Sequence, residues 1–163
     1  LARDSENDGR YQFQWWALSL VRAKPLGQPS SGAKGGKKGS DKGVDGVISF
    51  LETGNKAAEV LVQVKSGHVK SGDIRDLRGA MERRGSAIGV FLTLEDPSRD
   101  MKAEAASAGM YTSKAWGTFP KIQILTVEQL LNGANVQMPS PYGTFKQAER
   151  VQEDTPRTLE MFE

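Results

Sequence analysis

The sequence predicts an α/β domain in which a central mixed β-sheet is flanked by helices. Apolar residues recur at helical spacing in separated stretches, and between them stand short runs rich in β-branched residues. Their order is helix, strand, strand, helix, strand, helix, strand, the pattern of a mixed sheet covered by helices. The 163 residues suffice for one domain with a single sizeable core.

From Arg10 to Ala23, Phe13, Trp16, Ala17 and Leu20 mark one face of an amphipathic helix. Trp15 and Trp16 read as core and helix-packing residues, because Phe13 and Leu20 continue the apolar stripe. Pro25 ends the helix, and Leu26 to Lys42, dominated by Gly, Ser and Lys, reads as a mobile basic loop. Val44 to Leu51 is β-prone, Gly54-Asn55 marks a turn, and from Glu59 to Lys65 the valines alternate with Leu61, Gln63 and Lys65. A hairpin is expected there. Ile74, Leu77 and Met81 place a helix over Asp73 to Arg84, and the nearly continuous apolar run Ala87 to Leu94 reads as a buried central strand. A second amphipathic helix is expected over Pro97 to Ala108, ended by Gly109. An aromatic loop around Tyr111, Trp116 and Phe119 then leads to a strand over Ile122 to Leu125. Thr126, with Glu128 and Gln129 in the first turn, would cap a helical turn through Leu131. The expected organisation is a polar linker over 1–9 inside a longer polypeptide, a domain over 10–135 and a surface arm over 136–163, which Pro139 and Pro141 break.

Charge and composition narrow the chemistry. The 22 Lys and Arg nearly balance the 20 Asp and Glu, for a net charge of +2, so any affinity for polyanions must come from local clusters. The absence of cysteine excludes disulfides, thiolate zinc sites and cysteine nucleophiles, and fits a reducing, cytoplasmic setting. A single histidine, His68, excludes a multi-histidine metal site or a Ser-His triad within the chain. No apolar run reaches the length of a membrane span, and no membrane partner is expected.

The most informative residues are Gly43-Val44-Asp45-Gly46 and Val62-Gln63-Val64-Lys65. Strand side chains alternate between faces, so Gln63 and Lys65 point the same way, and two neighbouring strands can bring Asp45 to them. A carboxylate and an amide oxygen that hold a divalent cation, beside a lysine that orients water and stabilises phosphate charge, are what phosphodiester hydrolysis requires.

Other polar clusters have two readings each. Lys34, Lys37, Lys38 and Lys42 lead into Asp45 and either contact phosphates or form a solvated loop. Arg75 and Arg78 share a helix face and either meet phosphate or pair with Asp73, Asp76 and Glu82. His68 either contacts phosphate or a carboxylate, with a loop role favoured over a catalytic one. Asp41 fits local turn bonding better than metal binding. The glycine-rich stretch 32–43 lacks the Gly-Lys-Ser or Gly-Lys-Thr of a nucleotide phosphate loop.

Together, Phe13 to Leu18, Lys37 to Gly46, Val64 to His68, Arg75 to Gly79 and Glu104 to Gly109 resemble the Mrr-like branch of the PD-(D/E)xK restriction-endonuclease superfamily. They look like the region carried C-terminal to the methylase in some bacterial DNA adenine or cytosine-N4 methyltransferases. The resemblance implies a restriction-endonuclease-like three-layer fold with Asp45, Gln63 and Lys65 at the catalytic positions and Asp45 and Gln63 as metal ligands. It implies Mg²⁺, or Mn²⁺, as cofactor and double-stranded DNA as substrate. The implied activity is that of an endodeoxyribonuclease in a restriction-modification system, fused to or partnered with a DNA methyltransferase. Double-strand cleavage by a single-site nuclease would favour a homodimer. Two departures stand out: the middle acidic residue is the neutral Gln63, and Gln14 stands where many relatives carry an acid. Both favour an alternative, a catalytically weak or inactive nuclease-fold module for DNA binding or assembly.

Overall fold

The computed structural model describes residues 2–26 and 44–139, and for residues 2–8 the backbone alone. Helix α1 (Ala2–Leu20) is followed by the two-residue strand β1 (Lys24–Pro25), then β2 (Gly46–Leu51) and β3 (Ala57–Lys65). Next come α2 (Ser71–Arg84), β4 (Ile88–Thr93), α3 (Arg99–Ser107), β5 (Met110–Ser113), β6 (Gly117–Pro120), β7 (Ile122–Thr126) and α4 (Val127–Leu131). Five strands form one mixed sheet in the order β1-β2-β3-β4-β7. The first three are antiparallel neighbours, whereas β3, β4 and β7 run parallel.

Strand alternation divides the core into two layers. On one face Val60, Val62, Ile88, Val90 and Leu92 pack with Ala17 and Leu18 of α1, and Leu130 of α4 joins them. On the other, Leu61, Phe91 and Ile122 meet Ile74, Leu77 and Met81 of α2 and Met101 of α3. Every residue of β4 is buried, as its apolar run requires of a strand covered on both faces. Helices above and below a mixed sheet are the three-layer α/β architecture expected.

The turn expected at Gly54-Asn55 and the cap expected at Thr126 are present, and Gly85 and Ser98 add two further helix ends. The β2–β3 hairpin closes through a 3₁₀ turn over Thr53–Asn55, where Asn55 takes a left-handed φ of 65°. Gly85 (φ 67°) ends α2, Ser98 caps α3 by accepting from Met101 N–H, and Thr126 and Gln129 form a reciprocal capping box.

Three differences have physical causes. α1 begins at Ala2 and takes in the stretch read as linker, where no proline interrupts a helix and acidic residues suit its first turns. Its core face is turned by about one residue from the expected one: Ala17 and Leu18 are buried, while Trp15 (49 % exposed) and Trp16 (43 %) face solvent. The aromatic loop is a β-hairpin, β5 with β6, in which Tyr111 pairs with Phe119 and Thr112 with Thr118. Tyr111 lies edge-on to Phe50, their centroids 6.2 Å apart, and Trp116 Nε1 donates to the Leu51 carbonyl. The loop carrying Lys34, Lys37, Lys38, Asp41 and Lys42, and positions 140–163 of the expected arm, lie outside the described residues.

Candidate functional site

Asp45 stands at the open end of the β2–β3 ladder. Its N–H donates to the Val62 carbonyl at 2.9 Å, although the register partner of Val62 is Gly46. Two residues of one strand thus oppose one of the other, a β-bulge. The bulge directs Asp45 toward α1, where Gln14 Nε2 donates to its Oδ1 at 2.9 Å. The other oxygen, Oδ2, accepts the N–H of Val64 at 2.6 Å. Val64 presents its N–H to the β2 side of β3, as Val62 does two residues before, so the carboxylate takes the place of the next ladder carbonyl. Burial pushes the Asp45 carboxyl above the usual carboxylate range, and the Val64 N–H opposes that only in part.

Gly46 beside it is fixed by packing. A Cβ there would lie 2.7 Å from a Leu18 methyl and 3.0 Å from the Lys24 carbonyl oxygen. Helix α1 and strand β1 therefore close on β2 only because position 46 has no side chain.

Gln63 and Lys65 project from the other face of the sheet, the side of Leu61 and α2. Lys65 Nζ forms an ion pair with Asp73 of α2. Asp73 Oδ2 also accepts the Lys70 N–H at 2.9 Å, so this carboxylate secures the first turn of α2 and the lysine together. Burial raises the Asp73 pKa, but the Lys65 bond, the Lys70 N–H and the charges of both lysines outweigh it, and the carboxyl lies below its ordinary value. Gln63 is 6 % exposed, and its Oε1 is buried without a hydrogen-bond partner among the described residues.

Asp45, Gln63 and Lys65 thus share one end of two adjacent strands, yet no bond joins them among the described residues. Asp45 is paired with Gln14, and Lys65 with Asp73. Asp73 is the participant that the sequence left unassigned, having been read as a partner for Arg75 or Arg78. Its helix N3 position, directly after the β3–α2 loop, was the available signal.

Among the described residues the donor set does not fit a hard divalent cation. Mg²⁺ takes oxygen ligands in a near-octahedral shell, with carboxylates supplying charge. Both oxygens of Asp45 and both of Asp73 already accept hydrogen bonds. Among the described residues no group of three acidic or histidine side chains is placed to hold a metal. A carboxylate at position 14 would need a shared proton or a cation between it and Asp45, whereas the Gln14 amide closes that gap by donating a hydrogen bond.

A cavity of about 300 Å³ opens where α1 passes the end of β3. Arg10, Phe13 and Gln14 line one side, and Val64, Lys65, Ser66, Gly67 and His68 the other. Among the described residues no carboxylate is in its lining. His68, largely exposed, lies 3.4 Å from Glu95. Arg75 and Arg78 stay away from the cavity, Arg75 meeting Glu104 at 3.4 Å and Arg78 meeting Glu82 at 3.8 Å along α2. Among the described residues no helix is long and apolar enough to cross a membrane.

A model of the family described as NACHT-associated inactive Restriction Endonuclease 1 matches residues 33–132. No curated protein and no solved structure matches the chain. The match supports the restriction-endonuclease-like fold and overturns one expectation, that of a Mg²⁺-dependent endodeoxyribonuclease, because the family is described as inactive. The side-chain pairings give that correction a physical reason: the carboxylate and the lysine expected to act on a phosphodiester are each held by a protein partner. Since the matched segment covers more than half of the 163 residues, the chain belongs to the NACHT-associated inactive restriction endonuclease 1 family.

Proposed function

We propose that this domain is a non-cleaving nuclease-fold module that docks on the phosphate backbone of double-stranded DNA. The observation that carries the reading is the cavity beside Lys65, with Arg10, Lys65 and His68 in its lining and no acid among the described residues there. Arginine and lysine contacts to phosphate supply affinity without reading sequence. Asp73 bonds Lys65 and orients it, and Glu95 lies 3.4 Å from the exposed His68, so the cleft offers hydrogen-bond donors for phosphate in place of a reactive centre.

Fluorescence anisotropy with a labelled duplex tests this. The wild type should bind without cleaving, and Arg10→Glu should weaken binding several-fold at every sequence while reducing the salt slope by about 1. Affinity that ignores Arg10 and salt would refute it.

The family description favours a second role, assembly. We infer that the module is carried by a polypeptide that also contains a NACHT domain, in place of the methyltransferase that the sequence led us to expect.

A further inference from the structure

Helix α1 is 19 residues long, but the sheet covers only part of its surface. Ala17 and Leu18 are buried and Phe13 and Val21 pack beside them, whereas Gly9, Arg10, Tyr11 and Gln12 are all exposed. The exposed side carries Tyr11 (60 % exposed) and Trp15 (49 %), one helical turn apart, with Trp16 (43 %) at its border. Arg10, Phe13 and Gln14, which line the cavity beside Lys65, occupy a different face of the helix. Tryptophan and tyrosine are the side chains that most often anchor interfaces.

We propose that the Tyr11–Trp15 face of α1 is the surface by which this module packs against a neighbouring domain of its own polypeptide, inserting both rings into an apolar socket. The inference rests on the assembly reading above, under which that neighbour is a NACHT domain. Area selects a tethered partner over a free one. Tyr11 and Trp15 together with Trp16 at the rim of the contact, each worth roughly 150–250 Å² and about half exposed, offer on the order of 300 Å² of apolar surface. A free-standing dimer needs about 800 Å² per partner. Contacts between domains of one chain start at about 600 Å² in total, or about 300 Å² per side, and a short linker supplies the effective concentration that the area does not.

The test uses the full polypeptide with a photo-reactive benzoylphenylalanine at position 15, and mass spectrometry to locate the adducts. Adducts within the chain, on another domain, are expected. Adducts between copies, adducts to added phospholipid vesicles, or no adduct would overturn the proposal. In the full chain, Tyr11→Ser with Trp15→Ser should speed amide exchange over residues 10–16 by about tenfold and leave β4 protected as in wild type. Unchanged exchange over 10–16 overturns the proposal, and protection of β4 shows that the variant still folds. If the full chain holds no NACHT domain, the assembly reading fails by itself, while adducts on another domain still support the surface.

Discussion

Replacing Lys65 by alanine removes the partner of a buried carboxylate. The Asp73 side chain is 7 % exposed and that of Lys65 is 40 %, so the pair lies between the surface and interior extremes. Breaking a fully buried pair costs about 3–5 kcal/mol, and surface pairs contribute about 0–1 kcal/mol. With the exposure of Lys65 screening its charge, and the Lys70 N–H still bonded to Asp73, the expected loss is about 1–2 kcal/mol. That corresponds to a fall in Tm of roughly 3–10 °C. The pH dependence identifies the cause. In the wild type the Asp73 pKa is lowered, so its contribution is fully present above the ordinary carboxylate value and is lost as pH falls through the lowered one. In the variant, burial acts on Asp73 with less opposition, and protonation relieves it. The gap in urea-unfolding free energy should therefore be widest near about pH 7 and shrink below about pH 4. A gap that is absent at neutral pH, or constant with pH, would refute the structural role given to Lys65.

Four further outcomes are expected. Asp45 has its pKa raised by burial, so its ionised form costs stability as pH rises from the ordinary carboxylate value through the raised one. Asp45→Asn, which keeps an acceptor for Val64 and presents an NH2 to Gln14, whose amide flips to accept it through Oε1, should match or exceed the wild type in chemical denaturation at neutral pH, whereas Asp45→Ala should cost about 1–3 kcal/mol. Gln63→Met removes a buried oxygen without a donor and should raise the unfolding free energy by about 1 kcal/mol; a loss would mean that Oε1 has a partner in solution. Gly46→Val must displace Leu18 or the Lys24 backbone and should lower stability by about 1–3 kcal/mol in the same assay. His68→Ala, at an exposed position, should leave the thermal midpoint within about 2 °C of wild type while weakening duplex binding.

Much of the fold is legible along the chain because the signals are local. The β2–β3 hairpin follows from alternation and Gly54-Asn55, β4 from an apolar run too short for a helix, and the start of α4 from Thr126 and Gln129. What escaped depends on contacts distant in sequence. The α1 face could be drawn through Trp16 or through Leu18, and only the close approach of Leu18 to Gly46 decides between them. The β5–β6 hairpin was hidden because its aromatic residues also suit a loop, and its packing partner, Phe50, lies about sixty residues away. At the site, Asp45, Gln63 and Lys65 were found from spacing and resemblance. Their partners were not all visible: one residue of bulge turns Asp45 to α1, and Asp73 reaches Lys65 from the next helix. Alternation alone put the three side chains together; the bulge separates them.

The central claim is that these residues hold the fold and do not break phosphodiester bonds. Supercoiled plasmid incubated with the wild type and with Lys65→Ala, each in Mg²⁺ and in Mn²⁺, tests it most directly. Neither protein should nick the plasmid above buffer, under conditions where the wild type binds it. Nicking by the wild type that Lys65→Ala abolishes would contradict the claim.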